Sequence, residues 1–289
     1  MDAMTRIERA LIAAVANAAG PGAPPRLAAA LDHAVFPRGA RVRPRLCLAV
    51  ARACAEDDPA ITDAAATAIE LLHCASLVHD DMPCFDDADT RRGRPSVHRA
   101  FGQPLALLAG DALIVLAFQT LARAGARQPH RLAPLLLTIS MSVGMPHGIV
   151  AGQAWECEPN ADLGRYQRAK TGELFAAATV AGAAAAGHDG EPWRAVGEKL
   201  GEAYQVADDL LDATGDAATA DKPVGQDLTL GRPNAALQMG IPAAIAHLAS
   251  LAAAAAAAIP PCAGAGDLRA VINSEARRLV PKALSAQAA

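Results

Sequence analysis

Seven long stretches of this chain, residues 44–55, 60–79, 104–125, 131–145, 163–187, 192–214 and 234–258, carry apolar side chains at helical spacing. Short joints rich in glycine, proline or charge separate them. No segment of useful length alternates with the period of a strand, and no Asn-Gly or Asp-Gly turn lies between β-branched runs. Composition agrees: 52% of residues are hydrophobic but only 3% aromatic, an Ala/Leu-rich mix that favours helix over sheet. A first amphipathic helix, the break "GPGAPP" and the segment "RLAAALDHAVF" precede these stretches. The expectation is an all-α fold, one domain over residues 1–289. Joints this short pack neighbouring helices antiparallel.

Several functions are disfavoured at once. A formal net charge of -4 lacks the basic footprint of a nucleic-acid binder. The six cysteines form no CxxC pair and lie mostly in apolar runs, as free thiols in a reducing compartment would. The N-terminus mixes both charge signs, unlike an export signal. The most apolar stretch, "LASLAAAAAAAIPP", is too short and alanine-rich to span a bilayer. A soluble, cytoplasmic protein with no membrane-spanning segment is expected.

Against this background "LVHDDMPCFDDAD" stands out. Asp80, Asp81, Asp86, Asp87 and Asp89 crowd the end of an apolar helix, where the macrodipole is already negative, and Pro83 prevents one helix from carrying them all. A second acidic cluster, in "YQVADDLLDATG", stacks Asp208 and Asp212 on one helical face with Asp209 beside them, before a natural stop at Gly215. One such pair would read as a solvated surface. Two, each ending an apolar helix, call for cations. Carboxylate oxygens suit Mg2+, which combines a few carboxylates with substrate phosphates. Basic residues able to hold phosphate lie nearby in sequence: Arg91, Arg92 and Arg94 in "RRGRP", those of "RGARVRPR", Lys170 in "AKTG" and Lys222 in "DKPVGQD". His73 and Ser76 share the helical face of Asp80 and point where a diphosphate is expected.

The ordered pair "DDMPCFD…RRGRP" and "YQVADDLLD" resembles the two aspartate-rich motifs of trans-isoprenyl diphosphate synthases, and the likeness runs from "GARVRP" to "KPVGQD". With two extra residues between its aspartates, the first motif is most similar to bacterial and plastid members that make geranylgeranyl diphosphate. "VFPRGARVRP" looks like versions feeding carotenoid and bacteriochlorophyll synthesis. The resemblance implies a helix bundle of the isoprenoid synthase type around a deep apolar cavity, usually a homodimer. It implies that Asp80, Asp81, Asp86, Asp208, Asp209 and Asp212 bind Mg2+, more than one ion per site. Arg91, Lys170 and Lys222 would hold the allylic diphosphate (dimethylallyl, geranyl or farnesyl), and Arg43, His73 and Arg92 isopentenyl diphosphate. Thr171 and Gln205 match positions lining the site. The implied reaction forms an allylic carbocation as diphosphate departs, the double bond of isopentenyl diphosphate attacks it, and a proton is lost to the leaving diphosphate.

One position departs from the family. Relatives commonly carry Gly-Gly-Lys-Arg before the Arg-Pro step, where this chain has Arg38, Gly39, Ala40 and Arg41. Either Arg38 or Arg41 replaces the lysine's contact with isopentenyl diphosphate, or affinity for that substrate falls. Product length is read from Ala75, with Ser76 beside it. Helical spacing turns Ala75 away from the Asp80 face and does not select it. The resemblance does, because the residue five before the first Asp is aromatic in many farnesyl-making relatives and small in longer-chain ones. The expected product is geranylgeranyl diphosphate. The alternatives are a farnesyl diphosphate synthase, a terpene cyclase (disfavoured by "DDLLD") and a non-catalytic modulatory subunit (disfavoured because neither acidic cluster is lost).

Overall fold

The helical expectation holds in the computed structural model, which describes residues 2–36, 39–55, 58–160, 162–214 and 234–279. Caps written in the sequence start several helices: Asp2 accepts from Thr5 N–H ahead of α1 (Ala3–Ala18), and Asp58 from Ala60 N–H ahead of α4 (Pro59–Asp80), with Pro59 in the first turn. Between them run α2 (Pro25–Val35) and α3 (Val42–Ala53). A small antiparallel hairpin follows, β1 (Thr90–Arg91) and β2 (Arg94–Pro95), with Thr90 opposite Pro95 and Arg91 opposite Arg94. Next come α5 (Val97–Phe101), α6 (Gln103–Gly125), α7 (Pro129–Val143), α8 (Ile149–Trp155) and α9 (Leu163–Gln167). A π-helical turn, Arg168–Gly172, leads into α10 (Glu173–Ala185). A 3-10 turn, Glu191–Trp193, precedes α11 (Arg194–Thr214), and α12 (Ala235–Met239), α13 (Ile241–Ala257) and α14 (Ala265–Leu279) complete the described chain.

The chain divides into two compact units, residues 1–141 with 177–190, and residues 142–176 with 191–289. In the first, α4 is buried on nearly every side. Ile61, Ile69, Leu71 and Leu72 are at most 1% exposed, and the helix packs against α6, where Leu113 and Leu121 are buried, and α1, where Ile7 and Leu11 are. In the second, α11 packs along α13, where Ala203, Val206, Leu210, Ala244, Leu248 and Leu251 form one apolar cluster.

The sequence reading and the structure differ where backbone detail decides. The stretch 234–258 is broken at Gly240, whose φ of +82° ends α12, and Pro242 restarts the chain in α13. The stretch 163–187 carries the π turn. Helices α5, α8 and α14 lie outside the seven stretches.

Candidate active site

In the first unit the loop after α4 folds back over the end of that helix. Asp86 N–H donates to the carbonyl of Asp80 (2.9 Å) and Ala88 N–H to that of Asp81 (3.1 Å), so the loop satisfies carbonyls that a helix C-terminus leaves orphaned. The same folding brings a carboxylate oxygen of Asp86 within 4.8 Å of one from Asp80, between the acids best placed to share a cation.

The other three acids are tied differently. Asp81 is 2% exposed and accepts three hydrogen bonds from the Arg91 guanidinium, two from Nε (3.0 and 3.3 Å) and one from Nη2. Burial pushes its carboxyl above the usual range; Arg91 pulls it back, while Asp80 and Asp86 push it further up. Arg91 in turn keeps its charge against burial through Asp81, Asp80 and Asp86. Asp87 and Asp89 pair with Arg99 at 3.1 and 2.7 Å, and His98 Nε2 lies 3.5 Å from Asp87. Asp81, Asp87 and Asp89 are thus held by side chains of the following segment, and Arg91 also stands 4.0 Å from Asp80, which keeps an oxygen close enough to Asp86 for the two to share a cation.

The same unit holds a pair of basic side chains. Arg43, in the first turn of α3, donates from Nη1 to His73 Nε2 of α4 at 3.4 Å, and Ser76 Oγ donates to the His73 carbonyl at 2.8 Å. His73 is held well below the ordinary imidazole range, first by burial and then by Arg43, Arg92, Arg91 and Arg41. A neutral ring accepting from Arg43 at Nε2 carries its proton on Nδ1. Ala75 is buried, 1% exposed, on the same helix.

Arg41 corrects one expectation. Its side chain is turned inward and fully buried. Nε donates to Glu8 (3.0 Å), Nη1 to Glu70 (2.6 Å) and Nη2 to the Val35 carbonyl (2.8 Å). All three nitrogens serve the fold, and Arg41 has none to offer in place of the lysine missing at Ala40. Arg38, the other candidate, lies outside the described residues, as does Lys222.

The second unit holds the remaining residues. Gly152 of α8 lies so close to the π turn that a Cβ there would stand 2.5 Å from the Lys170 nitrogen. Lys170 Nζ donates to Glu156 (2.6 Å), which also accepts from Tyr166 Oη (2.7 Å) and Gln153 Nε2 (2.8 Å). Glu156 escaped the sequence reading because a lone acid after "GQAW" carries no charge pattern; its signal is the convergence of three donors. Thr171 Oγ1 donates to Gln205 (3.2 Å), and Gln205 Nε2 to Asp209 (2.9 Å). Along the last turns of α11, Asp208 is exposed, while Asp209 and Asp212 are 2% and 8% exposed. Asp209 also accepts from Ala235 N–H at 2.8 Å, so both its oxygens are engaged. Thr171, Gln205 and Asp209 form one hydrogen-bonded chain.

A helical fold with two acidic helix ends and clustered guanidiniums is of the isoprenoid synthase type. A model of the polyprenyl synthetase family matches residues 24–254. The chain is 53% identical to the geranylgeranyl diphosphate synthase of Cereibacter sphaeroides, over 98% of each chain, and 50% identical to that of Rhodobacter capsulatus, again over 98% of each. Among solved structures it resembles the Helicobacter pylori geranyltransferase complexed with magnesium and isoprenyl diphosphate, with TM-score 0.82 and 27% identity over 95% of this chain and 96% of that one. An apo FPP/GFPP synthase from Zymomonas mobilis gives TM-score 0.79 and 30% identity, covering 94% of this chain and 98% of that one. The chain belongs to the polyprenyl synthetase family.

Proposed function

We propose that this chain is a Mg2+-dependent prenyltransferase that condenses isopentenyl diphosphate with allylic diphosphates and releases geranylgeranyl diphosphate. The observation that carries the reading is a loop that sets Asp80 against Asp86 while Arg91 occupies Asp81, in the same unit as the pair of Arg43 and neutral His73. Full-length likeness to two geranylgeranyl diphosphate synthases and the small Ala75 support the twenty-carbon product over a fifteen-carbon one.

The donor set fits the metal: Asp80 and Asp86 in one unit and Asp208 and Asp212 in the other offer oxygen ligands, the hard donors Mg2+ prefers. Two separate pairs favour more than one ion. When bound, Mg2+ neutralises charge building on the departing diphosphate. The chain's own groups do the rest. Arg91, Lys170 and Lys222 hold the allylic diphosphate, and Arg43, His73 and Arg92 hold isopentenyl diphosphate. An apolar cavity beside Ala75 keeps water from the cation. Asp81 and Asp209, whose oxygens are taken by Arg91 and by Gln205 and Ala235 N–H, orient neighbouring groups or reach metal through water. A homodimer and a cytoplasmic setting complete the reading.

Labelled isopentenyl diphosphate, supplied with dimethylallyl, geranyl or farnesyl diphosphate, should yield a twenty-carbon diphosphate on chromatography, and chelation should stop it. Asp80→Asn or Asp208→Asn should lower kcat by about 10²-fold or more, as for loss of a group stabilising transition-state charge. A chiefly fifteen-carbon product would correct the length, and metal-independent turnover would overturn the reading.

A further inference from the structure

We infer that Gly39 is a positioning residue for the diphosphate of isopentenyl diphosphate and that it acts through Arg92. The inference rests on the prenyltransferase reading. A Cβ placed on Gly39 would lie 2.6 Å from Cζ, 2.6 Å from Nη2 and 2.9 Å from Nε of Arg92. The guanidinium therefore lies flat against the α-carbon of Gly39, in space that any other residue fills. Gly39 is not among the residues with positive φ, so its backbone admits an L side chain. What demands glycine at this point is the arginine.

Arg92 is itself held at a cost. It occupies the first central position of the two-residue hairpin turn with φ +52°, followed by Gly93 at +72°; both signs are those of a type I′ turn, where Asn, Asp or Gly is usual. A non-glycine residue there stores backbone strain, and such strain concentrates at working sites. The neighbouring arginines are committed: Arg41 to Glu8 and Glu70, Arg91 to Asp81, Arg94 to His33 and the Phe36 carbonyl, Arg99 to Asp87 and Asp89. Among the described residues, no carboxylate or carbonyl holds the Arg92 guanidinium. Its charge nonetheless acts on His73, as that of Arg43 does. The hairpin thus presents a guanidinium near enough for its charge to bear on His73, and the bare α-carbon of Gly39 is the surface that seats it. Ala40, next in the chain, adds no competing cation where relatives carry lysine.

Gly39→Ala discriminates this role. The added methyl meets the far end of a flexible side chain, so the protein should fold with unchanged Tm while the guanidinium shifts by about an ångström, enough to matter for an oriented group. The KM for isopentenyl diphosphate should rise about tenfold, while kcat and the KM for the allylic diphosphate stay within about twofold of wild type. In an Arg92→Ala background the substitution should add nothing, because two residues acting as one unit are not additive. Equal changes in both KM values, no change in either, or a full effect in the Arg92→Ala background would each overturn the inference. Titration with inorganic pyrophosphate in EDTA, where metal-dependent binding is silent, separates this from the parent reading. A wild type that transfers no prenyl group sinks that reading, whereas matched weakening of pyrophosphate binding by Gly39→Ala and Arg92→Ala sustains the Gly39–Arg92 unit. If pyrophosphate binds Gly39→Ala as it binds wild type, Gly39 does not position Arg92.

Discussion

Arg41, the N-cap of α3, and His73 of α4 answer to opposite electrostatic demands. Arg41 is fully buried and neutralised by Glu70 and Glu8, whose side chains are 2% and 18% exposed. Removing it strands Glu70 in an apolar core, so Arg41→Ala should cost about 3–5 kcal/mol in denaturant unfolding. A substrate ligand would instead lose affinity while keeping stability, and an Arg41→Ala protein of normal stability would contradict the buried-triad assignment. His73 is kept neutral by burial and surrounding guanidiniums, so its folded pKa is depressed below the ordinary 6.5. Below pH 6.5 the unfolded chain takes up a proton that the native ring refuses, so this part of the stability is present above that pH and is lost as pH falls toward the folded pKa. Wild type should lose up to about 1.4 kcal/mol per pH unit in that window. Unfolding of His73→Gln, followed from pH 7.5 to 5.5, should show a flatter dependence by that amount; the same slope in both proteins would refute the neutral ring.

The helices differ in what they tolerate, and the contrast lies in what their glycines touch. At Gly152 a Cβ would meet backbone atoms of Lys170, at 2.5 and 2.7 Å, rather than a mobile side-chain end. Gly152→Ala should therefore cost about 1–3 kcal/mol by overpacking and raise the KM for the allylic diphosphate by displacing Lys170. Unchanged unfolding and kinetics would show that α8 can yield. These contacts also mark what was legible beforehand. The apolar period exposed α4, α6 and α11, and charge crowding exposed both acidic clusters, because pattern and repulsion are properties of neighbouring residues. The division of labour within "DDMPCFDDAD" was not legible, since it depends on Arg91 and Arg99 returning from beyond the loop. Nor was the inward turn of Arg41, set by Glu8 and Glu70 from distant helices, nor Glu156, whose donors come from three separate turns.

For the whole molecule the open matter is apolar surface. Two helices, Pro59–Asp80 and Gln103–Gly125, are long and apolar enough to cross a membrane; the most apolar window of the first is 78% buried within the fold, that of the second only 39%. Leu107, Leu108 and Val115 on α6 are 48–55% exposed, and Leu137 and Met141 on α7 exceed that. The proposed homodimer would set a second copy of the chain over the exposed α6 residues. Leu108→Glu with Val115→Glu should shift the mass measured by light scattering from dimer to monomer; an unchanged mass would place the contact elsewhere. Residues 24–254, drawn from both compact units, match a single family model, and we propose that they fold as one domain. Calorimetry should then show one cooperative transition, with calorimetric and van't Hoff enthalpies equal.

The π turn at Arg168–Gly172 has a genetic corollary. A π turn holds one residue more than the α-helical path it replaces, so the chain there encodes a count as well as a composition. Loss of one codon within it would let the segment run as ordinary α-helix over the same path, leaving Phe175 facing the Tyr204 ring, 4.7 Å away between centroids, whereas loss of a codon from the α-helical turns that follow would rotate everything after it by roughly 100°. A one-residue deletion among these five positions straightens a single turn, but the same deletion inside α10 re-aims the residues that follow it. Single-residue variation in length should therefore disturb the register less in this segment than in the helix that follows.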